Sequence, residues 1–270
     1  MRQGVAFPGA RRRSVVHHGP VAGAAVGELL PTLLGVLLLC AVSVAVLAVA
    51  GVPERYGPTL AVARAAVQLA AISLVLTGVI TSPFWVGLAL LVMLTVAVLT
   101  SARRLGWNRR HLLVVAAGIG AGAAVALAVV FASGALAPTP RYLLAIGGIV
   151  VGNAMAITTL SARRFLEAVD EHWDEVEAWL ALGAQPQEAT RSLARGAVHT
   201  ALVPNVDQTK TTGLVTLPGA FVGAIFGGLP PFEAGRFQIV VLAAIIAAGA
   251  VASTSTVRLL GRVEQRPVRA

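Results

Sequence analysis

Apolar runs of about twenty residues alternate along this chain with short polar breaks. The runs fall at about Leu29–Gly51, Leu60–Ile80, Phe84–Thr100, Leu112–Ser133, Tyr142–Leu160, Thr211–Gly228 and Phe237–Val257. Each is close to the roughly 17–25 residues a helix needs to cross the hydrocarbon core of a bilayer. The breaks carry turn and charge signals: Pro53-Glu54-Arg55, Thr81-Ser82-Pro83, Arg103-Arg104 with Arg109-Arg110, Pro138–Pro140 and Pro230-Pro231. Proline and clustered charge both end apolar helices. The pattern predicts an all-α, polytopic integral membrane protein of about seven transmembrane helices. Its transmembrane domain covers 29–257, between a polar N-terminal tail (1–28) and a basic tail (258–270).

One long polar segment, Ser161–Val203, interrupts this rhythm and holds seven of the twelve acids: Glu167, Asp170, Glu171, Asp174, Glu175, Glu177 and Glu188. Apolar residues at Phe165, Leu166, Val169, Trp173, Val176 and Leu180 recur at steps of three and four, so its first half reads as an amphipathic helix. Gly183 supplies a stop and Gln185-Pro186 a restart, because proline suits the first turn of a helix. A helix, a tight bend and a second helix on one face of a membrane protein suit the docking of a partner.

Composition agrees with the membrane class. Hydrophobic residues make up 57% and charged ones 12%, and the mean hydropathy is +0.81. Soluble domains sit near 45–50% and 25%. The formal charge of +9 does not point to nucleic acid, since the basic residues flank apolar spans rather than cover a soluble face. With seven spans and the N-terminus outside, fifteen of the 21 basic residues fall inside, among them Arg55, Arg64, Arg103, Arg104, Arg109, Arg110, Lys210 and the tail arginines. The positive-inside rule therefore favours N-out and C-in, with Ser161–Val203 cytoplasmic. Arg11-Arg12-Arg13 is the dissenting cluster. It resembles the basic start of a signal peptide, yet Leu29–Gly51 is longer than a signal h-region and reads as a retained span. The single cysteine, Cys40, excludes an intrachain disulfide.

Charge inside the spans is sparse on this reading. Arg64 lies close enough to a cytoplasmic end to snorkel, and no Asp or Glu falls near a midplane, which argues against a proton-coupled carrier. The only lysine, Lys210, follows Thr209 rather than glycine, so the chain has no phosphate loop of the kind that cradles ATP. Gly219, Gly223 and Gly227 repeat every fourth residue, as do Gly148 and Gly152. That spacing serves internal packing or a subunit interface equally well. Pro218-Gly219 interrupts the sixth run, freeing backbone groups that must face protein or a water-filled path. Asn153, Met155, Thr158 and Thr159 give the fifth run a polar stripe, read as hydrogen-bonded packing or as the lining of a path. Met93 and Met155 fit core filling better than soft-metal ligation, and no set of metal ligands stands out. A membrane-embedded lipid-phosphate enzyme would need clustered acid, base and phosphate-clamping groups. The scattered His111, His172 and His199 do not supply them.

A family resemblance rests on motifs in one order. They are Gly152-Asn153-x-Met155, Glu177-Ala178 with Leu180-Ala181-Leu182-Gly183-Ala184, Val203-Pro204-Asn205-Val206, Gly213-Leu214-Val215-x-Leu217-Pro218-Gly219, and Pro230-Pro231-x-Glu233-Ala234-x-Arg236-x-Gln238. With Arg64-x-x-x-Gln68-Leu69 they resemble the iron-efflux ABC transporter permeases, a family with relatives of the plant aluminium-tolerance transporter. Ala224 stands where that pattern usually has glutamine, and Ala220-Phe221 where it has a methionine pair. The resemblance implies a permease subunit of the cell (inner or plasma) membrane, acting as a homodimer in the lipid bilayer and exporting a metal ion, iron. A different small solute is the alternative cargo. It implies no cofactor on this chain, with ATP bound by a separate ATP-binding subunit. Coupling residues would be Glu177, Leu182, Gly183, Ala184 and Pro186. Residues of the pathway or of helix packing would be Arg64, Gln68, Gly152, Asn153, Met155, Pro218, Gly219, Gly223 and Gly227.

Overall fold

The computed structural model describes residues 21–79, 82–262 and 265–266. Arg11–Arg13, His17, His18 and Arg269 lie outside the described residues. Among the described residues ten helices follow one another: α1 (Val21–Val49), α2 (Gly57–Val79), α3 (Pro83–Arg104), α4 (Arg109–Ala132), α5 (Pro140–Glu171), α6 (Trp173–Ala181), α7 (Pro186–Ala189), α8 (Arg191–Thr211), α9 (Gly219–Phe226) and α10 (Pro231–Leu260). Among the described residues there is no strand, only an isolated bridge between Thr212 and Thr216. Leu30–Val49, α3, α4, α5 and α10 are long and apolar enough to cross a membrane. The chain is an all-α, multi-pass membrane protein.

The chain divides into two units, 1–75 and 76–270. In the first, α1 begins at Val21, inside the segment expected to be a polar tail, and accommodates Pro31. From Leu30 on, most of its apolar side chains are exposed, Leu33 and Leu39 among them, as a lipid-facing helix requires. Gly51 (φ 67°) and Glu54 (φ 60°) turn the chain into α2. That helix starts at Gly57 rather than Leu60, which places Arg64 about two turns inside it instead of at its end. Arg64 and Gln68 stand four residues apart, on one exposed face.

The second unit is a bundle around α10. Its closest approach is to α4, where small residues let two backbones meet. A Cβ on Gly118 would strike the Thr256 hydroxyl and stand 2.9 Å from the Ala252 carbonyl. One on Gly122 would strike the Ala248 carbonyl and stand 2.8 Å from the Ala252 methyl. The order of these contacts makes α4 and α10 antiparallel. α5 runs parallel to α10, from the Tyr142–Phe237 ring contact (5.7 Å) to the Arg266–Asp170 ion pair (2.7 Å). α3 is also parallel to α5: Leu90 packs on Gly147, Ser101 bonds Thr159 (2.8 Å), and the Arg163 guanidinium donates to the Arg104 carbonyl (3.0 Å).

Three helices therefore finish at one end of the bundle, where their last carbonyls lack intrahelical donors. Arginine side chains supply them. Arg163 serves the end of α3, and Arg110 donates to the carbonyl of Arg262 just beyond α10 (2.7 Å). The positive charge also suits the negative end of each helix dipole. Arg103, Arg104, Arg109, Arg110, Arg163, Arg164, Arg191, Arg258 and Arg262 gather here, while Arg141 and Arg236 open α5 and α10 at the far end.

Since α5 and α10 both run toward the arginine end, one crossing back must lie between them. The expected sixth span, Thr211–Gly228, does not provide it. Its only helix is α9, eight residues and about 12 Å long, against the roughly 30 Å of a hydrocarbon core. The return begins instead at Arg191. α8 packs antiparallel along α10, from Thr190 beside Gly261 to Leu202 beside Gly249, and α9 then completes the route to Pro231. Hydropathy concealed α8 because its buried face is made of small residues, Ala197 and Ala201. The expected amphipathic helix 165–180 is also corrected. α5 continues unbroken from the fifth span to Glu171, and α6 starts afresh after His172.

Gly122→Ala should lower the thermal unfolding midpoint in detergent, by an amount corresponding to about 1–3 kcal/mol of overpacking. Gly120→Ala, whose added methyl would meet nothing within 4 Å, should leave it unchanged or raise it. Equal effects at the two positions would show that the α4–α10 contact is looser than described.

Candidate functional site

Two places in the bundle carry polar groups that packing alone does not explain. The first is the far half of α8. Up to Ala201 this helix buries alanines; at Pro204 it lacks the N–H that would serve the carbonyl of Thr200. Polar side chains follow. The Asn205 amide donates to Asn153 Oδ1 (3.2 Å), whose own amide donates to the Ile149 carbonyl (2.9 Å). Thr209 and Thr212 turn their hydroxyls back to the carbonyls of Asn205 (2.7 Å) and Gln208 (2.8 Å), leaving Gln208, Asp207 and Lys210 outermost. The Lys210 ammonium and Asp207 carboxylate pair at 3.0 Å, both well exposed.

Depth makes this face unusual. On α5, Arg141 and Arg163 bracket the apolar stretch, and Asn153 lies near its middle. Asn205 is held at that level, and Asp207 and Lys210 lie beyond it, away from the arginine end. The expectation that no acid approaches a midplane is therefore overturned, as is the grouping of Lys210 with the cytoplasmic arginines. Both followed from starting the sixth span twenty residues too late. Ionisable groups at such depth face a bundle interior or a water-filled cavity rather than lipid.

The other expected pathway residues divide. Asn153 makes the packing bond just described. Thr158 and Thr159 do not continue its stripe; both are buried, Thr159 against Ser101 of α3. Met155 packs against the core as expected, whereas Met93 is exposed at 37% and only its methyl reaches α5, 2.9 Å from where a Cβ on Gly148 would stand. Gly152 is exposed with nothing near it. Pro218 caps α9 in an extended conformation, so the chain does break at Pro218-Gly219. Gly219 and Gly223 have nothing within 4 Å of an added Cβ, and Gly227 meets only carbonyls of its own helix. Among the described residues of its own unit, no other helix comes within 4 Å of a Cβ added to this glycine repeat. Gly118 and Gly122 do meet another backbone, and the same four-residue spacing in the sequence could have revealed them.

The second place is the bend after α6. Ala184 N–H bonds the Trp179 carbonyl and Gly183 N–H the Leu180 carbonyl (both 3.0 Å), with Gly183 at φ 90°. This pair of bonds is the Schellman closure, and it needs the left-handed conformation glycine tolerates best. The restart at Pro186 occurs as expected, with the Glu188 carboxylate accepting from Gln185 N–H (3.3 Å). Val176 anchors α6 in the bundle, while Glu177, Trp179 and Leu182 face outward; Leu182 is 82% exposed. An exposed Trp-Leu pair rimmed by Asp174, Glu175 and Glu177 protrudes at the arginine end.

Other chemistry is thinly provided. Among the described residues no three His, Cys, Asp or Glu side chains gather to hold a metal ion. His111 and His172 each contact a main-chain carbonyl at 3.0 Å, of Gly106 and Ala168.

The break at Pro218-Gly219 and the bend at Gly183 both fall within the motifs that carried the family resemblance. Residues 30–263 match the family described as "Uncharacterised protein family (UPF0014)". The chain belongs to the UPF0014 family. Within it, the chain is 40% identical to the UPF0014 membrane protein STAR2 of Oryza sativa subsp. japonica, over 72% of this chain and 68% of that one. It is 36% identical to the protein ALUMINUM SENSITIVE 3 of Arabidopsis thaliana, over 72% of each. It is also 38% identical to the probable iron export permease protein FetB of Escherichia coli (strain K12), over 44% of this chain and 46% of that one. No solved structure matches the chain. UPF0014 thus contains a relative named as a permease and relatives named as membrane proteins, and this chain is a membrane protein of the same kind.

An α8 face that lines a water-filled path would be reactive. In a Cys40→Ser background, Asp207→Cys should react with a small water-soluble thiol reagent, whereas Leu91→Cys, exposed on the outside of α3, should not. An Asp207→Cys protein as inert as Leu91→Cys would remove the water-filled path.

Proposed function

We propose that this chain is the permease subunit of an ABC exporter in the cell (plasma or inner) membrane. It works as a homodimer with a separate ATP-binding subunit and moves a metal ion, iron, outward. The observation that carries the reading is the exposed α6–Gly183–α7 bend at the arginine end, joined directly to the two helices that bear the mid-membrane polar groups. α5 runs without interruption from Asn153 to the residue before His172, and α8 leaves α7 and reaches Asn205 and Asp207. A push on the bend therefore has a short, rigid route to the Asn153–Asn205 contact. Such a device needs two discrete arrangements of α5 and α8, and ATP-driven closure of the partner would select between them.

The positive-inside rule puts the arginine end, and so the bend, in the cytoplasm where ATP is available. The sole lysine sits within α8 paired to Asp207, not in a glycine-rich loop, so the energy source belongs to the partner. Iron as cargo rests on the name of the Escherichia coli relative, and the name of the Arabidopsis relative keeps a different solute as the second reading. Exposed Gly219 and Gly223, with Leu214, Val215 and Phe226 alongside, suit contact with a second copy of the chain.

Gly183→Val places a branched side chain where φ is 90° and should disturb the bend while the apolar helices still insert. The expected result is weaker capture of the ATP-binding subunit and slower ATP-dependent iron efflux from loaded vesicles, at an unchanged amount of protein in the membrane. Ser192→Ala, exposed at the start of α8, should behave as wild type. Undiminished capture and efflux in Gly183→Val would move the coupling site elsewhere, with the Arg103–His111 turn next to be tried.

A further inference from the structure

Between α7, the first turns of α8 and the last turns of α10 lies an open cavity of about 820 Å³. That volume is within the range of small-molecule sites. Its mouth is basic. Arg191 and Arg195 stand one turn apart on α8, and Arg258 approaches from α10. All three are exposed, and among the described residues none of their guanidinium groups makes a hydrogen bond or ion pair. Arg110, Arg163 and Arg266 are engaged through main-chain carbonyls or Asp170 and Arg164 through Glu167; Arg104, Arg109 and Arg262 also lack a guanidinium partner among the described residues but do not line this cavity. The cavity's one acid, Glu188, accepts from Gln185 N–H. α8 also opens here, at Thr190, without a side-chain cap on its first N–H groups, because the Thr190 hydroxyl is turned to Pro186 and Gly261 carbonyls. Guanidinium groups and an uncapped helix start both favour an anion.

Deeper in, the lining changes. Val198, Val257 and Ala194 supply a mostly apolar floor, with Thr254 and His199 beside them, along helices that continue toward the middle of the membrane. A soluble anion has no use for that floor. A phospholipid has, since its charged headgroup would sit among the arginines while its acyl chains follow α8 and α10 into the bilayer. Basic pockets between helices on the cytoplasmic side bind anionic headgroups for this reason.

We infer that the α7–α8–α10 cavity is a binding site for an anionic phospholipid, with Arg191, Arg195 and Arg258 holding the headgroup phosphate. The site is separate from the Asn205–Lys210 face and shares only Gln185 and α7 with the coupling bend, so it stands whatever the cargo is. Because the lipid would bridge the start of α8 to the end of α10, it would brace the two helices where Thr190 and Gln187 already reach the α10 carbonyls.

The test uses the full chain in nanodiscs of phosphatidylcholine doped with phosphatidylglycerol, with retained lipid counted by native mass spectrometry after detergent transfer. Wild type should retain phosphatidylglycerol in preference to phosphatidylcholine. At the usual worth of a basic residue near an anionic surface, Arg191→Gln/Arg195→Gln/Arg258→Gln should weaken retention about a hundredfold, and Arg195→Gln alone about fivefold. Arg164→Gln, an arginine outside the cavity, should retain lipid as wild type does. Thr254→Trp fills the floor and leaves the charges, so it should also expel phosphatidylglycerol. Competition by glycerophosphate or inorganic phosphate as effective as the lipid, and insensitive to Thr254→Trp, would identify a soluble-anion site and overturn the inference. Loss of ATP-binding-subunit capture in the triple variant with lipid retention intact would equally overturn it, in favour of a protein-docking surface. Unaltered lipid retention in both Arg195→Gln and the triple variant, with wild-type elution, would refute it directly.

Discussion

The bundle depends on one close contact, the backbone of α4 against the backbone of α10 at Gly118 and Gly122. No side chain fits between these helices there, as the Thr256 hydroxyl and the Ala248 and Ala252 carbonyls already occupy the space a Cβ would need. In a bilayer, helices gain little from hiding apolar surface, because lipid is as apolar as leucine; contact area and shape decide instead. The same logic recurs where Leu90 fills the gap beside Gly147 and where Ile157 fills that beside Gly249. α10 thereby becomes the hub, with α4, α5, α8 and α9 all resting on it.

Direction follows from that hub. Because α3 and α5 run parallel to α10, three sets of unpaired carbonyls and three negative dipole ends collect on one side. The arginines there answer a structural demand as well as fixing orientation: Arg163 and Arg110 close the ends of α3 and α10, and Arg266 ties Asp170 at the end of α5. The positive-inside pattern and the helix ends thus reinforce one another. Arg191, Arg195 and Arg258 take no part in this structural use and converge on one cavity, which is why a ligand is the natural account of them.

The same geometry couples the two candidate sites. Once α5 and α10 are parallel, the intervening segment must cross the membrane, and α8 has to carry its polar residues to mid-depth. Pro204 marks the change, with small apolar residues before it and Asn205, Asp207, Gln208 and Lys210 after it. The Gly183 bend sits at the other end of the same excursion. A segment that sequence reading divides into a cytoplasmic loop and a later span is one continuous path from docking surface to polar interior.

The sequence by itself determined the class, the α-helical construction and most helix ends. Twenty-residue apolar runs, and prolines at 83, 140, 186 and 231 that open helices, act locally and leave their mark in the string of residues. The Gly183 bend was legible for the same reason, since a positive φ is a property of one residue and its immediate neighbours. The tertiary structure alone decided the course of α8, the depth of Asp207 and Lys210, and which glycines pack. Hydropathy averages residues along a window, and α8 is polar on average while burying a narrow alanine face. Whether a glycine meets another backbone depends on the helix across from it, so Gly118 and Gly122 are distinguished from Gly219 and Gly223 only by what stands opposite.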